Sequence, residues 1–325
     1  MKTQTAIVAL VATLLAGCGS FQPIDKVDSA FADHNRTNSL GLKHGPWTEF
    51  PEQEDVLSAE GDYVAGKKHG HWVVQFTDGS VAEGPFVADK AHGRWVEREA
   101  NGNVSEGEYV NNKRHGKWVH RGADGGVAEG EYVDGKPHGK WVAQGANGDV
   151  GEGEYVDGKE SGHWVVRSVN GNVAEGPMVD FKRQGRWVER SANGEVLDGT
   201  MVDDKPHGKW VHRLPDGSVA EGELNVTGKK HGHWTAWPAE GGVHKGDMVN
   251  GQQHGRWVEQ FADGHVQEGD YVDGKRHGHW VFRLANGDVM EGPVVDGKQH
   301  GKWVFRGANG EVAECEYVDG NEIGC

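Results

Sequence analysis

Hydrophobic and polar residues alternate along this chain in short runs with a period of two, the pattern of half-buried β-strands. One run reads Trp-Val-x-Arg, as in Trp95-Val96-Glu97-Arg98, and the next reads Val-x-Glu-Gly-x-Tyr-Val, as in Val104 to Val110. Asn-Gly or Asp-Gly lies between them, a strong hairpin signal. A second segment, "DGKxHG", follows each pair and is rich in residues that tolerate positive φ. This leaves no room for a helix. The tryptophans set the repeat: Trp72, Trp95, Trp118, Trp141, Trp164, Trp187 and Trp210 are each 23 residues apart. Trp234 slips by one, Trp257, Trp280 and Trp303 resume, and Trp47 precedes Trp72 by 25. Twelve units begin with such a Trp, and the array occupies residues 41–325.

The loop fixes the register of each hairpin. With Ala100-Asn101-Gly102 as a three-residue loop and Gly in the left-handed position, Trp95 stands opposite Gly107. The bare backbone there leaves the indole room. Trp95, Gly107 and Tyr109 then share one face, while Val96, Arg98, Val104, Glu106 and Val110 share the other. A two-residue turn would set Trp95 against Glu108 instead. The unit "WTAWPAEGGVHKG" bears on the choice. Trp237 replaces the Arg or Gln found three residues after Trp in units from Gln75 to Arg306, and Lys245 replaces the recurring acid. Joint loss of both charges is expected if Arg and acid are cross-strand neighbours. Trp237 is therefore expected on the face opposite the other tryptophans, as the candidate exposed binding residue.

The expected fold is all-β: an elongated array of about twelve 23-residue antiparallel hairpin repeats forming one long twisted sheet. A lone hairpin is marginal in water, so stability must come from stacking of the Trp/Tyr face on neighbouring units.

Composition narrows the function. The 52 Gly residues lack a three-residue period, which excludes collagen, and 13 regularly placed Trp exclude a disordered chain. The formal charge of −16 excludes nucleic acid bound through its phosphates.

The N-terminus, "MKTQTAIVALVATLLAGC", has a basic Lys2 and an apolar run too short to span a bilayer. It closes on Leu15-Ala16-Gly17-Cys18, which resembles a bacterial lipobox. Residues 1–17 are then a lipoprotein signal peptide, Cys18 the lipidation site, and residues 18–40 a lipid-anchored flexible tether. By resemblance to enterobacterial lipoproteins, the absence of Asp after Cys18 favours the outer membrane. The other two cysteines, Cys315 and Cys325, suggest one disulfide in an oxidising compartment. It would staple the last hairpin, and a tip-to-tip covalent dimer is the alternative.

Spacing, Trp, His-Gly and Asn-Gly together resemble the membrane occupation and recognition nexus (MORN) repeat. They are closer still to the variant "dGkxhGxWxxxxxnGxv" of YwqK-type antitoxin proteins. The resemblance implies a hairpin scaffold for protein or lipid contacts, without chemistry of its own.

Histidine recurs before Gly at His44, His69, His92, His115, His138, His207, His231, His254, His277 and His300, with Ser161 and Gln184 in two units. Equivalent residues lie two strands, roughly 9–10 Å, apart, too far to share one zinc ion. A structural turn role is favoured over metal binding or pH sensing. The pairs His69/His71, His231/His233 and His277/His279 lack an evident third ligand. Carboxylates recur in register, so none is singled out, and no nucleophile elbow, phosphate loop or Cys–His constellation occurs. The expectation is a non-enzymatic, cofactor-free, lipid-anchored scaffold of the bacterial envelope that contacts a protein or envelope component. An antitoxin-like protein and an architectural spacer are the alternatives.

Overall fold

A computed structural model describes residues 35–50 and 55–325. Cys18 and the signal peptide lie outside the described residues. There are 28 strands and no helix among them, and strands pair antiparallel with their sequence neighbours. Twelve strands carry the repeat Trp and twelve carry the acidic run. Three more are two-residue pieces, Lys90–Ala91, Lys182–Arg183 and Lys298–Gln299, and the last is Asn321–Gly324. The three short pieces occur where the preceding strand has Pro85, Pro177 or Pro293. Proline has no N–H to give the ladder, so the strand is interrupted there. The chain forms two compact units. One runs to Gly171 and includes Met178–Phe181; the other comprises Asn172–Pro177 and Lys182–Cys325.

The hairpin loop has the expected length and register. Glu99 N–H donates to the Asn103 carbonyl and Gly102 N–H to the Glu99 carbonyl, both at 2.9 Å, with Gly102 at φ +92°. Trp95 stands opposite Gly107, and Arg98 opposite Val104. The inter-unit segment differs from a single turn. Asn111 and Asn112 form a two-residue turn with φ of 52° and 67°, as type I′ requires. Three residues on, His115 pairs with Glu108 while Trp118 pairs with Gly107, so Gly116 and Lys117 bulge out. Each "DGKxHG" is thus a tight turn followed by a bulge.

The tether expected over residues 18–40 is ordered at its end. Asn35 N–H donates to the Pro46 carbonyl at 2.9 Å, and the Trp47 indole N–H to the Arg36 carbonyl at 3.0 Å.

In the first unit the buried face is an aromatic file. Trp47, Tyr63, Trp72, Phe86, Trp95, Tyr109, Trp118, Tyr132, Trp141, Tyr155 and Trp164 meet successively edge to face, with centroids 5.2–6.0 Å apart. Edge-to-face contact suits the ring quadrupoles and adds to area burial. The second unit fills many tyrosine positions with Met201, Leu224, Met248 and Val294, and one buried group there centres on Trp257, Tyr271, Trp280, Val294 and Trp303.

From Trp72 to Trp303, each repeat indole leans towards the preceding unit. Trp95 is opposite Gly107 in register, yet its ring covers Gly84, and the ring covering Gly107 belongs to Trp118. The seat is locked by a hydrogen bond: Trp95 Nε1 donates to the Pro85 carbonyl at 3.0 Å, and Trp118 Nε1 to the Glu108 carbonyl at 3.0 Å. The lock recurs in the second unit, for example from Trp257 to Asp247 and from Trp303 to Pro293.

The opposite face carries an ion-pair ladder whose connectivity differs from the sequence reading. Arg98 bonds Glu83 of the preceding acidic strand at 2.5 Å, not Glu106 of its own hairpin. Glu106 instead lies between Arg94 of its own hairpin (2.8 Å) and Arg121 of the next unit (2.7 Å). Glu268 likewise lies between Arg256 and Arg283. Two guanidiniums hold the Glu106 carboxyl below the ordinary range. Trp237 and Lys245 are therefore not each other's missing partners. Trp237 stands opposite Val219, in the strand that carries Glu221, and Lys245 faces the strand that carries Gln260. Because these pairs are largely exposed, Glu106→Gln is expected to cost about 1 kcal/mol or less. The loss should shrink as salt rises, measured by urea unfolding at low and high ionic strength.

Candidate contact site on the aromatic face

Alternation places the residue two after each Trp on the aromatic face, and this position varies between units: Val74, Glu97, His120, Ala143, Val166. The variation shapes the surface. Between Val56 and Asn112, small side chains leave a cleft of about 520 Å³. Ala59, Val74, Ala82, Phe86 and Trp95 line it, with Lys68 and Glu97 at the polar margins. Farther along, His120 fills the equivalent space, 3 % exposed and stacked between Trp118 and Trp141.

A polar network closes the cleft at that end. Tyr109 Oη donates to Glu97 Oε1 at 2.6 Å, and Arg114 Nη2 to Glu97 Oε2 at 2.5 Å. Arg114 also lies over the Trp118 ring, 4.4 Å from its centroid. Burial, aided by the Glu97 carboxylate, pushes the Tyr109 hydroxyl up to about 12. His120 Nδ1 meets Ser105 Oγ at 2.8 Å and Nε2 meets Tyr132 Oη at 3.3 Å. Burial holds the imidazole down at about 4, with Arg114 adding to the effect. A second network in the other unit joins Glu259, Gln267, Tyr271 and Arg276 around Trp280. The arrangement offers apolar walls, aromatic faces and a few fixed charges, a combination that suits holding a side chain.

The residues singled out from sequence lie elsewhere. Trp237 is half-buried, so less of its ring is available than expected for an exposed contact. The recurring histidines sit at the bulges; His254 and His300 approach Asp273 and Asp319 of the next turn at 4.0 and 3.9 Å. Among the described residues, the grouping of three metal-capable side chains is Cys315, Glu322 and Cys325, whose sulfurs are joined to each other. Cys315 takes the place of the repeat glycine opposite Trp303. Glu97, Arg114 and His120 were missed in the sequence. Their signal was a charged or imidazole side chain in phase with the buried tryptophans.

The MORN repeat family matches residues 60–81, 106–127, 129–150, 198–219, 244–266 and 268–289. The chain carries MORN repeats. Such repeats are in general non-catalytic modules for contacts with proteins or membranes, and the all-β hairpin organisation of this MORN array agrees with the match. No curated protein matches the sequence. Among solved structures, the array is similar to the TCP10 domain of Danio rerio CPAP, solved with a peptide of Danio rerio STIL. Identity is 12 %, over 68 % of this chain and 98 % of that one, with a TM-score of 0.37. It is also similar to the G-box domain of the microcephaly protein CPAP, at 13 % identity over 62 % and 98 %, TM-score 0.33. Virginiamycin B lyase from Staphylococcus aureus matches at 12 % identity over 77 % and 84 %, TM-score 0.16. Superposition this loose carries nothing about activity or partner to the MORN array.

Proposed function

We propose that this protein is a non-enzymatic scaffold, anchored by lipid on Cys18 to the bacterial envelope, that grips a partner protein at the aromatic-face cleft. The cleft is the observation that supports this reading. It opens where Ala59 and Ala82 replace bulk, and it presents Phe86 and Trp95 beside the charges of Lys68 and Glu97. Aromatic walls with fixed charges at their margin are the usual core of a protein contact. The sequence "LAGC" supports the anchor and, with Gly19 after the cysteine, the outer membrane.

One experiment tests both parts. A photo-cross-linking residue is placed at Ala82 in the native host, in chains with and without Cys18→Ala, and a palmitate analogue is fed. Label on the Cys18 chain alone, with an envelope protein captured from position 82 and not from the exposed Val202, is the expected result. Label on neither chain overturns the anchor; capture of a cytoplasmic toxin would then support the antitoxin-like alternative drawn from the YwqK-type pattern. Absence of capture at position 82 overturns the cleft. Removing two whole units beyond the cleft leaves a binder active and shortens a spacer.

A further inference from the structure

The last acidic strand, Val312–Val318, has one incompletely covered flank. On one side it pairs with Gly301–Arg306 along its length. On the other, Asn321–Gly324 pairs only with Glu316, Tyr317 and Val318. Val312, Ala313 and Glu314 are exposed, Val312 to 56 %. Their counterparts Val289, Met290 and Glu291 are half-buried, paired with Arg306, Phe305 and Val304 of the next unit. The bond from Gly307 N–H to the Glu311 carbonyl sets the alternation of the ladder. The N–H and C=O of Val312 and Glu314 therefore point outward, away from Gly301–Arg306.

Two side-chain features mark the same spot. Glu314 pairs with Lys302 at 2.5 Å, whereas Glu291 meets both His279 and Arg306 and Glu268 meets both Arg256 and Arg283. The Glu314 side chain is correspondingly 53 % exposed, against 31 % and 22 % for the other two. On the aromatic face beside Ala313 lies a cleft of about 510 Å³ lined by Met290, Phe305 and Leu284.

We propose that this edge takes an extended segment of a partner protein as an added antiparallel strand. Such a segment carries a bulky apolar residue opposite Ala313, followed by Arg or Lys opposite Val312. The apolar side chain enters the cleft beside Phe305. The cation reaches Glu314 diagonally, as Arg306 reaches Glu291. The outward groups of Val312 and Glu314 bond its backbone. A second copy fits poorly. Its first strand, Gly45–Glu49, would set Glu49 against Ala313 and Phe50 where the cation belongs, and the arm from Asn35 already bonds that strand. This site lies in the other unit from the Ala82 cleft and is tested separately.

The probe is a fluorescent Ser-Gly-Val-Phe-Arg-Gly-Ser peptide, titrated onto the full chain with its disulfide intact. Binding is expected, weakened about fivefold by Glu314→Lys. Arg-to-Glu in the peptide should weaken it similarly, and the two changes together should restore it. Glu129→Lys, a similarly exposed ladder acid far from this edge, should leave binding unchanged. Because Glu314 is exposed, the variant is expected to fold, and its tryptophan near-UV spectrum verifies this. Equal binding by wild type and Glu314→Lys, absence of rescue, or no binding at millimolar peptide overturns the proposal. Concentration-dependent oligomers lost on Glu314→Lys also overturn it, in favour of a second copy.

Discussion

Gly130→Ala should unseat Trp141 and cost the first unit about 3 kcal/mol or more in stability. A methyl group at position 130 would lie 2.2 Å from Trp141 Cδ2, well inside any tolerable contact. The indole cannot shift sideways, since Trp141 is 1 % exposed and its Nε1 donates to the Glu131 carbonyl at 3.1 Å. It must lift, losing that hydrogen bond, its burial and its edge-to-face contacts with Tyr132 and Tyr155. Gly126→Ala in the same hairpin is the control, because its added methyl meets nothing nearer than 3.2 Å. Urea unfolding followed by tryptophan fluorescence measures both variants. Equal midpoints would show that the seat is not what holds neighbouring units together.

The second large effect depends on pH. His120 titrates at about 4 in the folded chain, against 6.5 in the unfolded chain. Below pH 6.5 the unfolded chain binds a proton that the folded chain refuses, so this residue's contribution falls as pH drops and levels off below about 4. The loss integrates to roughly 3 kcal/mol, from about 1.4 kcal/mol per unit of pH. The groups around the ring are Arg114, Ser105 and Tyr132, with Trp118 and Trp141 on its faces. None is a carboxylate able to rescue the imidazolium directly, and Glu97 is already engaged by Arg114 and Tyr109. His120→Gln should therefore flatten the acid limb of the stability curve between pH 6.5 and 4. The comparison is unfolding free energy against pH for the two chains. Parallel curves would mean that the histidine takes up its proton without cost.

The loop and the hairpin register were legible because both follow from short-range rules. Asn101-Gly102 demands a turn, and period-two alternation then puts Trp95, Gly107 and Tyr109 on one face. Which glycine receives the indole was not legible. Gly107 has a tryptophan in register on both sides, Trp95 and Trp118, and only side-chain direction chooses between them. The same limit hid the charge ladder, since Arg98 has an acid within reach on either side and takes Glu83. The Gly116 bulge was merged with the turn before it, because both use the same residue types. The cleft was hidden for another reason. Its character comes from Ala82, Glu97, Arg114 and His120, positions at which units differ, and a consensus reading averages these away.

The lean of the indoles towards the preceding unit makes the two termini of the array chemically unequal. Each internal unit supplies a ring and receives one. Peeling the array from its N-terminal end strips tryptophans of their seats and brings adhesive aromatic surface into water. Peeling from the C-terminal end uncovers mainly glycine backbone, which is comparatively inert. The protein treats its ends accordingly. Trp47, with no earlier unit, rests its N–H on the Arg36 carbonyl of the arm, while at the other end Cys315 replaces the glycine and bonds Cys325. A protease that nicks near Arg36 should therefore provoke aggregation, whereas one that trims the last hairpin should leave a soluble remnant.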